Sequence, residues 1–115
     1  MRRAHPSKQM TLHHPDTDEI ELPAVLGALS DPHRLDIVRR LAGSDDACPC
    51  GTFELGITKS TLTHHFRVLR EAGVISQRAV GTAKLNWLRR EDLDARFPGL
   101  LDAVLAAEQT PAQIS

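Results

Sequence analysis

The stretch Thr58–Ile75, TKSTLTHHFRVLREAGVI, decides how the rest of the chain is read. At about 100° per residue, Leu62, Phe66 and Leu69 share one helical face, while Ser60, Thr63, His64 and Arg67 gather on the opposite side. Thr58 can cap the free amides at the start, and Gly73 readily takes the left-handed conformation that ends a helix, so the spacing predicts a helix from Lys59 to Ala72. One side is apolar enough to pack. The other is polar and basic, and suits contact with DNA.

Downstream of Gly73, the runs VISQRAV and KLNWLRR flank Gly81-Thr82-Ala83 and read as an antiparallel hairpin. Leu85 and Trp87 share one face of its second strand, which directs Trp87 toward the helices rather than toward a base. Phe97, Leu101, Val104 and Leu105 then recur at helical spacing after Pro98 and predict one terminal amphipathic helix. Upstream, Leu22, Val25, Leu26 and Leu29 mark a first helix with one apolar face, starting near Leu22 because Pro23 fits only in a first turn. Asp31-Pro32 is a cap followed by a first-turn proline, opening a second helix that Gly43 closes. The segment GTFELGI after Cys50 is short and glycine-punctuated, and leaves room for a single helical turn.

Taken together, ALSDPHRLDIVRRL, STLTHHFRVLREAGVI and the basic hairpin resemble the ArsR/SmtB group of bacterial winged helix-turn-helix repressors, over about Leu22 to Leu105. The resemblance implies a mainly α fold with a small β-hairpin (α+β), in the order α-α-α-α-β-β-α. It makes the segment between Cys50 and Ile57 the supporting helix and Lys59–Ala72 the recognition helix. It implies a sequence-specific transcriptional regulator, a repressor by family habit, that binds a palindromic operator as a homodimer through its first and last helices. His33 stands where that family usually places a small polar residue. The expected organisation is a mobile amino-terminal tail over 1–18, a DNA-binding and dimerisation domain over 19–108, and a carboxy-terminal tail over 109–115.

The net charge of −1 hides a strong asymmetry. Residues 59–90 carry seven basic side chains against Glu71 alone, a net +6, while the flanking regions are both acidic. A basic zone that contains the candidate recognition helix suits docking on phosphates. Within it Arg67 is the side chain best suited to a bidentate contact with guanine. Ser60, Thr61, Thr63 and His64 can meet base edges or phosphates, and Thr58, Lys59 and the helix start suit a phosphate. Arg78 and Lys84 on the hairpin suit the neighbouring backbone. His65 projects toward the apolar flank. With 115 residues the chain accommodates one domain, and the absence of a long apolar run or signal-peptide core points to a cytoplasmic protein without a membrane partner.

An enzyme is not indicated, since there is no nucleophile elbow, phosphate loop or HExxH pattern. A winged-helix adaptor that has lost DNA binding is the alternative from another class. For sensing, Cys48 and Cys50 could share one transition-metal ion such as zinc or nickel, completed by His5, His13 or His14 of the tail, as the resemblance implies for Cys-x-Cys members. The terminal helix has no histidine for the family's other metal site. The opposing reading is that two cysteines are tolerated in a reducing compartment and a separate sensor protein controls the regulator.

Overall fold

A computed structural model describes residues 12–44, 48–49 and 56–109. A short 3-10 turn at Thr17–Glu19 leads into helix α1 (Leu22–Ala28) and helix α2 (Pro32–Ala42). Strand β1 (Cys48–Pro49), helix α3 (Lys59–Ala72), strands β2 (Ile75–Val80) and β3 (Ala83–Leu88), and helices α4 (Arg90–Arg96) and α5 (Leu100–Gln109) follow. The sheet runs β1-β3-β2 and is antiparallel throughout.

The boundaries arise from local chemistry. Pro23 lies in the first turn of α1. The Asp31 carboxylate accepts the amides of His33 (2.8 Å) and Arg34 (3.2 Å) at the start of α2, with Pro32 opening the helix. Thr58 accepts the Thr61 amide at the start of α3 (3.1 Å). At its other end Gly73 sits at φ 90, Gly73 N–H donates to Arg70 O and Val74 N–H donates to Leu69 O, the paired bonds of a Schellman ending. The predicted helix Lys59–Ala72 is therefore present with both of its caps.

One core unites these elements. Ile20, Val25, Leu29, Ile37, Val38, Phe66, Leu69, Val74, Ile75, Leu93 and Leu101 are all buried in it. Helix α1 packs on α3, α2 packs on α3 and β3, and α5 packs on α2 and α4. The hairpin turns on Gly81 (φ 61) and Thr82, with Val80 opposite Ala83 and Gln77 opposite Asn86.

Three features depart from the sequence reading. The terminal helix predicted after Pro98 is α5, but a further short helix that the sequence reading lacks, α4, precedes it across Pro98 and Gly99 (φ 85), held to the amino-terminal side by hydrogen bonds from Arg96 to Ile20 O and from Thr17 to Asp92. Cys48–Pro49 forms a short strand to which the sequence reading gave no element, with Cys48 opposite Asn86 and Pro49 opposite Leu85. Residues 12–18, assigned to the tail, bond to α3, β2, β3's end and α4. Most of the expected supporting helix, over 51–55, lies outside the described residues, as do His5 and Cys50.

Candidate nucleic-acid interface

On α3 the helical period sorts the side chains into two sets. His65, Phe66, Leu69, Arg70 and Ala72 are buried, and Lys59, Ser60, Thr61, Thr63, His64 and Arg67 are exposed. The outward stripe thus contains the residues assigned to base and phosphate contact. The Thr58 hydroxyl is already engaged by the Thr61 amide and hydroxyl, so its role is to shape the helix start.

Lys59, Thr63 and Arg67 line a groove of about 630 Å³ together with Phe66 and Arg70 of α3, Gln77 of β2, Thr82, Ala83 and Lys84 of the hairpin, and Leu12. Helix and wing therefore place the exposed Lys59 and Arg67, the half-buried Lys84 and the buried Arg70 around one concave surface. Arg78 is not among them. It lies on the other face of the hairpin, with its guanidinium 5.8 Å from the Trp87 ring centroid, in a second cavity of about 780 Å³ that also involves Leu41 and Ala42 of α2. Trp87 is half-buried and lines that cavity, and its ring meets the Arg78 guanidinium. It is not among the side chains packed on the core, which the opposite strand face with Asn86 and Leu88 joins.

Behind this surface lies a polar network that sequence periodicity did not reveal. Arg70 is buried on α3 and donates from Nη1 to Gln77 Oε1 (2.7 Å), and Gln77 Nε2 donates to Asn86 Oδ1 (2.7 Å). Asn86, at 0% exposure, is the most buried residue of β3. A helix cation and two cross-strand amides therefore tie α3 to both strands of the hairpin. Each of these three side chains has a partner, without which burial would be costly. Arg89 pairs with Asp92 (2.9 Å), so Arg70 and Arg89 of the basic zone hold the fold, while Arg90 meets Asp102 (3.0 Å) in an exposed pair.

Arg34 makes a second tie that the sequence reading missed. It donates from Nε to Ala28 O at the end of α1 (2.6 Å) and from Nη1 to His65 Nδ1 (3.0 Å), linking α1, α2 and α3. His65 Nε2 faces Asp31 at 3.9 Å, and the rings of His33 and His64 lie 5.6 and 5.9 Å away, centroid to centroid. Burial lowers the His65 pKa and the neighbouring Arg34, His33 and His64 reinforce this, while Asp31 opposes it. The ring is held neutral, with Nδ1 as the acceptor. His33, which stands where the resembling family usually has a small polar residue, is half-buried in this cluster.

Of the metal candidates, His14 has both ring nitrogens engaged: Nδ1 donates to Leu12 O (2.9 Å) and Nε2 accepts the Gln77 amide (2.9 Å). Burial lowers its pKa, with Arg70, Arg89 and His13 adding to the effect against the Leu12 hydrogen bond. His13 is exposed, and its carbonyl accepts from Arg70 Nε (3.1 Å). Among the described residues, no group of three or more His, Cys, Asp or Glu side chains is arranged to hold a metal ion. No helix among them is long and apolar enough to cross a membrane.

Comparison with known proteins agrees with this geometry. Residues 29–78 match a family described as a helix-turn-helix domain. The chain is 35% identical to the uncharacterized HTH-type transcriptional regulator YceK of Bacillus subtilis, over 70% of this chain and 82% of that protein. It is 33% identical to the arsenical resistance operon repressor of Staphylococcus xylosus, over 64% of this chain and 71% of the repressor. The fold matches the crystal structure of Rv0081 from Mycobacterium tuberculosis with a TM-score of 0.53 at 24% identity, covering 76% of this chain and 92% of that one. An exposed polar stripe on a capped helix, a hairpin beside it and these relatives together show that the chain belongs to the ArsR family of winged helix-turn-helix transcriptional regulators.

Proposed function

We propose that this protein is a repressor that binds a palindromic operator as a homodimer, with α3 in the major groove and the hairpin on the adjoining backbone. The observation that carries the reading is the outward stripe of Ser60, Thr63, His64 and Arg67 on a helix whose opposite face is buried. Arg67 reads a guanine edge, Ser60, Thr61, Thr63 and His64 meet bases or phosphates nearby, and Lys59 and Lys84 neutralise phosphates from the two walls of the groove. Arg78, on the opposite hairpin face, takes a phosphate only on the outer side of the wing. Support for the dimer comes from α1, which leaves Leu22 and Leu26 at 40% and 47% exposure, and from α5, whose Val104 and Leu105 are half covered. A twofold pair places two recognition helices about one DNA turn apart, roughly 34–36 Å.

The test is selection of bound sequences from a random duplex pool. The expected product is an inverted repeat with half-sites about 10 base pairs apart centre to centre. Arg67→Ala should weaken binding to that sequence by about 1–3 kcal/mol while changing binding to random duplex less. Equal losses on both would remove Arg67 from base reading, and recovery of no enriched sequence would overturn the proposal.

A second reading adds metal or thiol sensing at Cys48 and Cys50. What favours it is the pairing of Cys48 with Asn86, whose side chain joins Gln77 and through it Arg70 on α3. His14 does not fit as a ligand while both its nitrogens are bonded, which leaves His5 or His13 to complete such a site. Zinc or nickel titration of the wild type and of a Cys48→Ser, Cys50→Ser variant separates this from control by a separate sensor protein. Identical affinities exclude the cysteines.

A further inference from the structure

Residues 12–15 lie against α3 and the hairpin, and they close a cycle of hydrogen bonds. Arg70 on α3 uses two edges of its guanidinium: Nη1 donates to Gln77 Oε1 (2.7 Å) and Nε donates to His13 O (3.1 Å). Gln77 on β2 in turn donates its backbone N–H to His14 Nε2 (2.9 Å). His13 and His14 are neighbours in the chain, so the helix, the strand and this segment are each bonded to both of the others. One bond between two elements leaves a hinge, whereas a closed cycle fixes the angle between them.

His14 is held ready for this position. Its Nδ1 donates to Leu12 O (2.9 Å), which sets the tautomer and leaves Nε2 as the acceptor. Pro15 follows it and restricts its backbone to extended conformations, and the Pro15 carbonyl is anchored by Arg89 Nη1 (2.8 Å). The strand that His14 meets is the edge strand β2, since the sheet runs β1-β3-β2. Gln77 and Asn86 also form the last cross-strand pair before the wing tip in which both residues are buried; Val80 and Ala83, the pair next to the turn, are exposed. Lys84 stands two residues beyond Asn86, about 7 Å along the strand. The cycle therefore sits at the pivot of the wing, and a rotation there swings Lys84 against the Lys59 and Arg67 side of the groove.

We infer that His14 is a positioning residue of the DNA interface: by holding Gln77 it sets the angle of the wing against α3, and with it the spacing of the groove's two walls. The inference rests on the DNA-binding reading above. Phosphates are spaced at fixed intervals along a duplex, so cations on two separate elements meet them together only if the angle between those elements is fixed. His14 contributes through Gln77 and Arg70, and Lys84 is the group it places.

The test is a mutant cycle read by salt titration of binding to the inverted repeat, at a temperature where every variant is folded. His14→Gln carries an acceptor at about the reach of Nε2. His14→Asn keeps a donor for Leu12 O but falls short of Gln77. The first should bind within about twofold of wild type, and the second should lose roughly three- to tenfold, the worth of one such hydrogen bond. Lys84→Ala should flatten the slope of log affinity against log salt by about 1 in the wild type and by less than about 0.3 in the His14→Asn background. Arg70→Lys, whose ammonium cannot keep the fork that joins Gln77 to His13, should suppress the Lys84 effect in the same way and replaces His14→Asn should that variant not fold. A role confined to stability would leave the Lys84→Ala effect the same in every background, and that result overturns the inference, as do equal affinities for His14→Gln and His14→Asn. No effect of Lys84→Ala in the wild type also overturns it, while the Arg67 test still stands for the DNA reading. If the wild type binds no duplex at any salt, the DNA reading falls and the positioning role with it.

Discussion

Gly73 shows how one residue can serve both a helix end and a core. Its φ of 90 closes α3, and a Cβ built there would lie 2.6 Å from Ile20 Cγ1 and 2.9 Å from Ile20 Cδ1, inside contact distance of a fully buried side chain. Gly73→Ala therefore combines left-handed strain with overpacking, and we expect a loss of roughly 2–4 kcal/mol in denaturant unfolding. His14 and His65 present a second effect at this scale. Both are acceptors at one nitrogen, and burial, the largest influence on each, lowers the pKa below the ordinary 6.5. A base whose folded pKa is depressed binds fewer protons folded than unfolded, so its stabilising contribution is complete above pH 6.5 and declines as pH falls from there through the folded value. Thermal unfolding followed from about pH 8 to pH 5 should show this decline in the wild type and a smaller one in a His14→Gln, His65→Gln variant. Equal declines in the two proteins would assign the acid sensitivity to other groups.

At the scale of elements, α2 and α3 both begin with a side-chain cap, and the Asp31 cap has the wider reach. Partial burial raises the Asp31 carboxyl, but the amides of Arg34 and His33, with the nearby His65 ring and the Arg34 charge, bring its pKa below the usual value. Replacing it removes two amide partners at the start of α2. Asp31→Ala should cost about 1 kcal/mol, and Asp31→Asn, which keeps an acceptor, distinctly less; equal costs would mean that the charge and not the cap matters. The recognition helix and the wing are joined more firmly than a hairpin lying on a helix would be, through Arg70, Gln77 and Asn86. The pairing of β1 with β3 extends that connection to the chain around Cys48.

For the whole molecule, the polar and apolar surfaces lie on different elements. The cationic groove lies between α3 and the wing, and the uncovered leucines Leu22 and Leu26 lie on α1. If α1 forms half of a dimer seam, a Leu22→Asp, Leu26→Asp variant should sediment at the single-chain mass where the wild type sediments at twice that mass. Its affinity for a palindromic duplex should drop toward that for one half-site, while its helical signal stays unchanged because neither side chain enters the core. A wild type that sediments as a monomer at all concentrations would remove the dimer from the proposal.

Sequence alone determined α3, both of its ends and the side it exposes, because capping, the left-handed glycine and helical spacing are encoded within a few residues of where they act. The hairpin, the Asp31-Pro32 restart and the family were legible for the same reason. The tertiary structure decided which cations face solvent. Arg70 and Arg89 looked like part of one basic zone, yet they are drawn into the fold by His13 and Pro15, 57 and 74 residues away along the chain. Asn86 in the core, the Arg34–His65 tie and both engaged nitrogens of His14 were hidden for a common reason. Apolar burial repeats with the period of a helix or strand and can be counted, whereas a buried polar group is settled by whichever distant donor or acceptor the fold brings to it.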